Sequence, residues 1–287
     1  APNAGTYAWT VPDAISSTCR VRISDASDSS ALVISGNNFK IRGNLIVTSP
    51  NGGEKWNVGS SQVITWTRIG SIANVKLEYS DNGGATYVPI INSTPNTGTY
   101  SWIIPNAITI QARVRVTNVD DTTVTDTSDA NFKIQGTFNL TSPNGGEAWV
   151  VGSFHDITWT TSGTINFVKL EYSTDGGATY PNLIINSLGN VGIYTWTVPD
   201  SVSGSVRVKV SDSSDPEAFD TSNGNFRVRT TFILTAPNGG EVWKVGSVYN
   251  IVWTKIGTIP TVKLEYSSFG FLMGINLISG AAPNTGT

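Results

Sequence analysis

The 287 residues include one cysteine, one histidine and one methionine. With Cys19 alone, an intrachain disulfide is excluded, and His155 and Cys19 by themselves cannot assemble a zinc site or a Ser-His-Asp triad. Charge is also scarce. The 18 basic and 21 acidic residues make up 14% of the chain, are scattered in both signs and sum to −3. Without a basic stripe, the phosphate-neutralising term of nucleic-acid binding is missing, so no nucleic-acid partner is expected. No apolar run approaches the roughly 20 residues of a membrane helix, and no membrane span is expected. Low cysteine content fits a secreted or cell-surface protein of a prokaryote.

What the chain has is repetition. PNGGEKWNVGSSQVITW begins at Pro50, PNGGEAWVVGSFHDITW at Pro143 and PNGGEVWKVGSVYNIVW at Pro237. Trp56, Trp149 and Trp243 are spaced by 93 and 94 residues, as are Trp66, Trp159 and Trp253, and Trp9, Trp102 and Trp196. These series hold all 9 tryptophans, and Phe39, Phe132 and Phe226 keep the same step. The chain is a tandem array.

Within one period, runs of four to eight residues alternate apolar and polar between Gly, Pro, Asn and Asp. In the first full copy they read NLIVTS, KWNV, QVITWT, NVKLEYS, ATYVPII, GTYSWII, ARVRVTN and NFKI. Period-two alternation with β-branched and aromatic residues predicts strands, with no competing 3.6-residue pattern. Seven or eight short strands per copy predict an all-β array of immunoglobulin or fibronectin-III-like sandwiches. Junctions near Gly43, Gly136 and Thr230 give complete repeats at 44–136 and 137–230, flanked by a C-terminal half-domain at 1–43 and an N-terminal half-domain at 231–287. The connections are short enough to predict a semi-rigid rod.

The opening APNAGTYAW and the closing AAPNTGT both match TPNTGTYSW at 94–102. The half-domains are therefore expected to be completed from outside these residues, since about 43 residues bury too little surface for a core. Two sources stay open: a continuing, longer array, which the overlap favours, or a neighbouring subunit joined head to tail.

PNGGE-x-W-x-x-G, I-x-W, VKLEYS-x-x-GG, GTYSW-x-x-P and RVRV together resemble the repeat domain of the Ser/Thr-rich GPI-anchored cell-wall family and its prokaryotic surface-protein relatives. The resemblance covers both complete repeats and part of each half. It implies tandem immunoglobulin-like modules at the cell surface, and it carries no catalytic residue. The last copy departs from it over 267–277, where EYSSFGFLMGINLI lacks the Asp, the Gly pair and the Thr-Tyr of EYSTDGGATYPNLI.

The candidate structural motif is Pro50, Gly52, Gly53, Glu54, Trp56 and Trp66, with Pro143, Gly145, Gly146, Glu147, Trp149 and Trp159, and Pro237, Glu241, Trp243 and Trp253. The glycines suit a tight turn, the carboxylates are placed to accept its amides, and the tryptophans return to the core. Ser173, Asp175, Gly177, Thr179 and Tyr180 approach an Asp-box hairpin brace, with Asn82 replacing the Asp one copy earlier. Asp120, Asp121, Asp126 and Asp129 could offer oxygen ligands to Ca²⁺, although Asp, Ser and Thr are ordinary turn formers. Otherwise no cofactor is expected. Lys76 and Glu78 are expected to face outward and to pair with Arg113 and Arg115.

No cleft-forming insertion exists to house paired carboxylates, so the chain is not expected to be an enzyme. The expectation is a structural protein of an extracellular filament, stalk or surface layer that self-associates into a homopolymer. The alternative is an adhesin or a carbohydrate-binding accessory module, with a polysaccharide as partner.

Overall fold

The structure is a computed structural model and describes residues 4–285. It is all-β, with no helix among the described residues. The chain divides into two compact units, residues 1–136 with Ser162–Thr164, and Thr137–Thr161 with Ile165–Thr287.

In the first unit, Asn44–Ser49, Ser61–Ile69 and Thr99–Ile103 form one sheet with Ser61–Ile69 in the centre. The second sheet runs Lys55–Asn57, Phe132–Gln135, Thr109–Asn118, Asn74–Ser80, Val88–Pro95, and Thr125–Thr127 also pairs with Thr109–Asn118. Thr125–Thr127, rich in polar residues, has no apolar alternation and was not among the sequence-predicted strands. Ladders are antiparallel except that Lys55–Asn57 runs parallel to Phe132–Gln135. NLIVTS shows why the pattern works: Leu45 and Val47 are buried while Asn44, Ile46 and Thr48 face out.

Leu45, Val47, Ile64, Val75, Leu77, Val114 and Val116 fill the space between the sheets with Trp56, Trp66, Trp102 and Phe132. Each fully buried aliphatic side chain contributes about 1.5–3 kcal/mol. The second unit repeats the plan, with the sheet Thr137–Ser142, Phe154–Ser162, Ile193–Thr197 facing the sheet Ala148–Val150, Phe226–Arg229, Ser203–Asp212, Phe167–Ser173, Asn182–Gly189. Its core holds Leu140, Trp149, Ile157, Trp159, Trp196, Val208 and Phe226. These are two-sheet sandwiches of immunoglobulin or fibronectin-III type.

The flanking residues form separate two-stranded sheets. Ser16–Cys19 pairs with Phe39–Ile41, and Arg22–Ser24 with Leu32–Ile34. Thr231–Ala236 pairs with Val252–Ile256, and Thr261–Ser267 with Ile275–Pro283. Several of their inward positions are open to solvent, although Trp253 is buried. Phe232, which takes the place of Leu45, is 44% exposed against 1%, and Ile23, in the place of Val116, is 69% exposed against 0%.

Candidate functional site

The PNGGE turn is a latch between distant parts of a sandwich. The Asn51 and Gly52 amides donate to the two oxygens of Glu54 at 2.7 and 2.8 Å. Asn51 reaches across the sheet, accepting from the Asp129 amide and donating to the Asp129 carboxylate, while Ser128 Oγ donates to the Pro50 carbonyl at 2.7 Å. Gly52 holds a positive φ of 136°, and a Cβ there would lie 2.6 Å from that of Ala130. No other residue fits. Glu147 repeats the brace on Asn144 and Gly145, and Ser222 donates to the Pro143 carbonyl. Gly53 and Gly146 also hold positive φ, and Pro50, Pro143 and Pro237 each follow a cis peptide bond.

Glu241 braces Asn238 and Gly239 in the same way, and those amides hold its carboxyl below the usual range. Here the cross-sheet partners are absent from residues 231–285, and the space beside Gly239 is open.

The tryptophans serve two purposes. Trp66, Trp159 and Trp253 donate their indole N–H groups at 2.7 Å to Asn96, Asn190 and Asn284. Trp56 packs on Trp102 and Phe132 with centroids at 6.1 and 4.9 Å, and Trp149 packs on Trp196 and Phe226 at 6.0 and 4.9 Å. Trp243 departs from the core placement expected of it and is 41% exposed, because the positions that would cover it lie outside 231–285; it stacks on Tyr249 at 4.9 Å. His155, in the place of Tyr249, stacks on Trp149 at 4.4 Å.

A contact that the sequence reading missed recurs three times. Asp13 accepts from the Ser71 amide at 3.0 Å and from its hydroxyl at 2.5 Å. Asp200 accepts from the Thr258 amide and hydroxyl at 3.0 and 2.5 Å. Asn106 takes the same place, accepting from the Thr164 amide at 2.9 Å and donating to its hydroxyl at 2.6 Å. In each case the recipient follows a glycine at positive φ, Gly70, Gly163 or Gly257. The hydroxyl bond, then the amide bond, holds Asp13 and Asp200 below the ordinary carboxylate range. The signal was available as a Pro-Asp or Pro-Asn pair following each GTY-type strand, 58 residues before a Gly-Ser or Gly-Thr.

The acidic candidates do not come together. Asp126 accepts from the Val47 amide at 2.7 Å, Asp129 binds Asn51, Asp121 caps Thr123, and the Asp120 amide donates to Asn118. Among the described residues no group of three or more His, Cys, Asp or Glu has a metal-holding arrangement.

Glu78 corrects the outward-facing expectation: it is 5% exposed. Lys76 at 2.6 Å and Arg115 at 2.7 Å enclose it, and Arg115 lies 3.8 Å over the Tyr87 ring. Burial raises its carboxyl, but the bonds from Lys76 and Arg115 outweigh this and hold it below its usual value. Arg113 goes instead to Asn131 at 2.7 Å. In the Asp-box hairpin, Asp175 accepts from Ser173, from the Thr179 amide and from the Thr179 hydroxyl, while Asn82 makes the corresponding bonds to Ser80 and Thr86.

No family model matches the chain, and no curated protein matches it. Solved structures do. Fibronectin(III)-like modules of Clostridium thermocellum CbhA are 20% identical, with 64% of this chain and 94% of that chain covered and a TM-score of 0.23. A chimeric titin Z1Z2–Z1Z2 tandem is 16% identical over 64% of this chain and 98% of its own, at 0.24. The four N-terminal Ig domains of Dscam1 isoform 8.4 are 8% identical over 69% and 51%, at 0.32.

Proposed function

We propose that the protein is a structural component of an extracellular filament, stalk or surface layer, built from tandem immunoglobulin-like repeats that self-associate into a homopolymer. The observation that carries this reading is the threefold recurrence of one junction contact, Asp13 to Ser71, Asn106 to Thr164 and Asp200 to Thr258. A bond repeated at each period, beside connections of only one or two residues between strands, suits an array that transmits tension. Support also comes from the resemblance of its motifs to cell-wall and surface repeat domains. The open faces of residues 4–43 and 231–285 are completed by the continuing chain or by a neighbouring subunit.

We assign no catalytic role. The one histidine is spent on stacking, and the Glu78 carboxylate is enclosed by Lys76 and Arg115.

Electron microscopy of the 287-residue chain at high concentration tests the reading. Fibres with an axial subunit of one repeat are expected; monomers alone would overturn it. The exposed rings of Trp9 and Trp243 favour a second reading, carbohydrate binding by an adhesin or accessory module. Retention on a polysaccharide column, lost on replacing either ring by Ala, would establish it.

A further inference from the structure

We propose that the face of residues 231–285 in one copy of the chain receives the face of residues 4–43 from a second copy, with Trp243 packed against Trp9 and Phe39 and Glu265 paired with Arg22. This deepens the filament reading and rests on it.

The complete repeats supply the template. Trp56 sits against Trp102 and Phe132. One period earlier those two rings are Trp9 and Phe39, which meet edge to face with centroids 6.4 Å apart and carry no third stacked ring among the described residues. Two periods after Trp56 stands Trp243, half exposed beside Tyr249. Each side has what the other lacks.

Strand edges agree with the rings. In the first complete repeat Asn74–Ser80 pairs on one side with Val88–Pro95 and on the other with Thr109–Asn118. The equivalent Thr261–Ser267 pairs only with Ile275–Pro283, and Arg22–Ser24 only with Leu32–Ile34. Two bare edges of this kind are templates for addition of a strand. Transferring the register Val114↔Tyr79, Arg115↔Glu78 gives Val21 opposite Tyr266 and Arg22 opposite Glu265.

Charge then selects the occupant. Glu78 is held by Lys76 and Arg115, whereas among the described residues Glu265 pairs with Lys263, and Arg22 is the residue in Arg115's place. The latch is complementary too: Ser128 donates to the Pro50 carbonyl, and Ser35 occupies Ser128's position to meet Pro237, beside a Gly239 whose neighbourhood is empty. A groove of about 350 Å³ lined by Phe232, Leu234, Trp253 and Leu264 would be roofed by the incoming side chains. Asn284 already bonds Trp253, so the second copy supplies its strands from Tyr7 onward.

The test mixes two single-cysteine chains made in a Cys19→Ser background, one carrying Val21→Cys and the other Tyr266→Cys. Under mild oxidation the mixture forms a disulfide-linked dimer several-fold faster than a control pair with Lys255→Cys in place of Tyr266→Cys. Trp243→Ala weakens association by at least about 30-fold, as expected for a central aromatic anchor. Equal rates for the two pairs overturn the proposal. If microscopy still shows fibres in that case, the filament reading stands and only this joint falls. A chain bearing both cysteines that closes on itself as a monomer also overturns it.

Discussion

The Asp13 carboxylate takes both the amide and the hydroxyl of Ser71, so a single side chain satisfies the first two donors of the turn that follows Gly70. Asp200 treats Thr258 alike, while Asn106 performs the same task on Thr164 without a titratable group.

This difference gives an internal control for acid. Asp13 and Asp200 have carboxyls lowered by these bonds, so their contribution is fully present above the unfolded value of about 3.9 and is lost as pH falls through the lower folded value. In an NMR titration, the Ser71 and Thr258 amide resonances shift with midpoints below about 3.9. The Thr164 amide stays put. A Thr164 shift matching the other two would refute the assignment.

Glu54→Ala and Glu147→Ala each remove two charge-assisted bonds from a turn that is tied across its sandwich. The expected loss is about 1–3 kcal/mol, or roughly 2–4 °C in Tm per kcal/mol for units of this size. Glu241→Ala, in a turn without a cross-sheet latch, leaves the main calorimetric transition within about 1 °C. Equal effects from all three would show that the brace matters without the latch.

Phe271 occupies the position of Gly84 and adopts φ 63°, a left-handed conformation that costs an L side chain about 1–2 kcal/mol. Phe271→Gly relieves it. Hydrogen exchange of the Glu265 and Leu277 amides in that hairpin slows by about tenfold; unchanged exchange would mean that the strain is not stored there.

The sandwich was legible in the sequence because its signals are local. Alternation in NLIVTS and ARVRVTN states which side chains go inward, and Gly-Gly in PNGGE states where the chain must turn with positive φ. Glu78 was misread for the opposite reason. A charged residue at an outward position of an alternating strand looks solvated, and only the neighbouring strand brings Arg115 and the ring of Tyr87 over it. The Asp13 and Asp200 contacts link residues 58 apart, so only the recurrence of Pro-Asp or Pro-Asn and of Gly-Ser or Gly-Thr from copy to copy, and no local alternation, marks them. Trp243 carries the same motif as Trp56 and differs only in what surrounds it.

The parallel pairing of Lys55–Asn57 with the last strand, Phe132–Gln135, has a mechanical consequence. A pull delivered through Gln135, with the first strand of the repeat held at Asn44, drags these two segments past each other along their length. The bridges at Lys133, Ile134 and Gln135 then carry the load in shear, all at once, instead of peeling open one after another. A repeat wired this way yields abruptly when pulled along its strands.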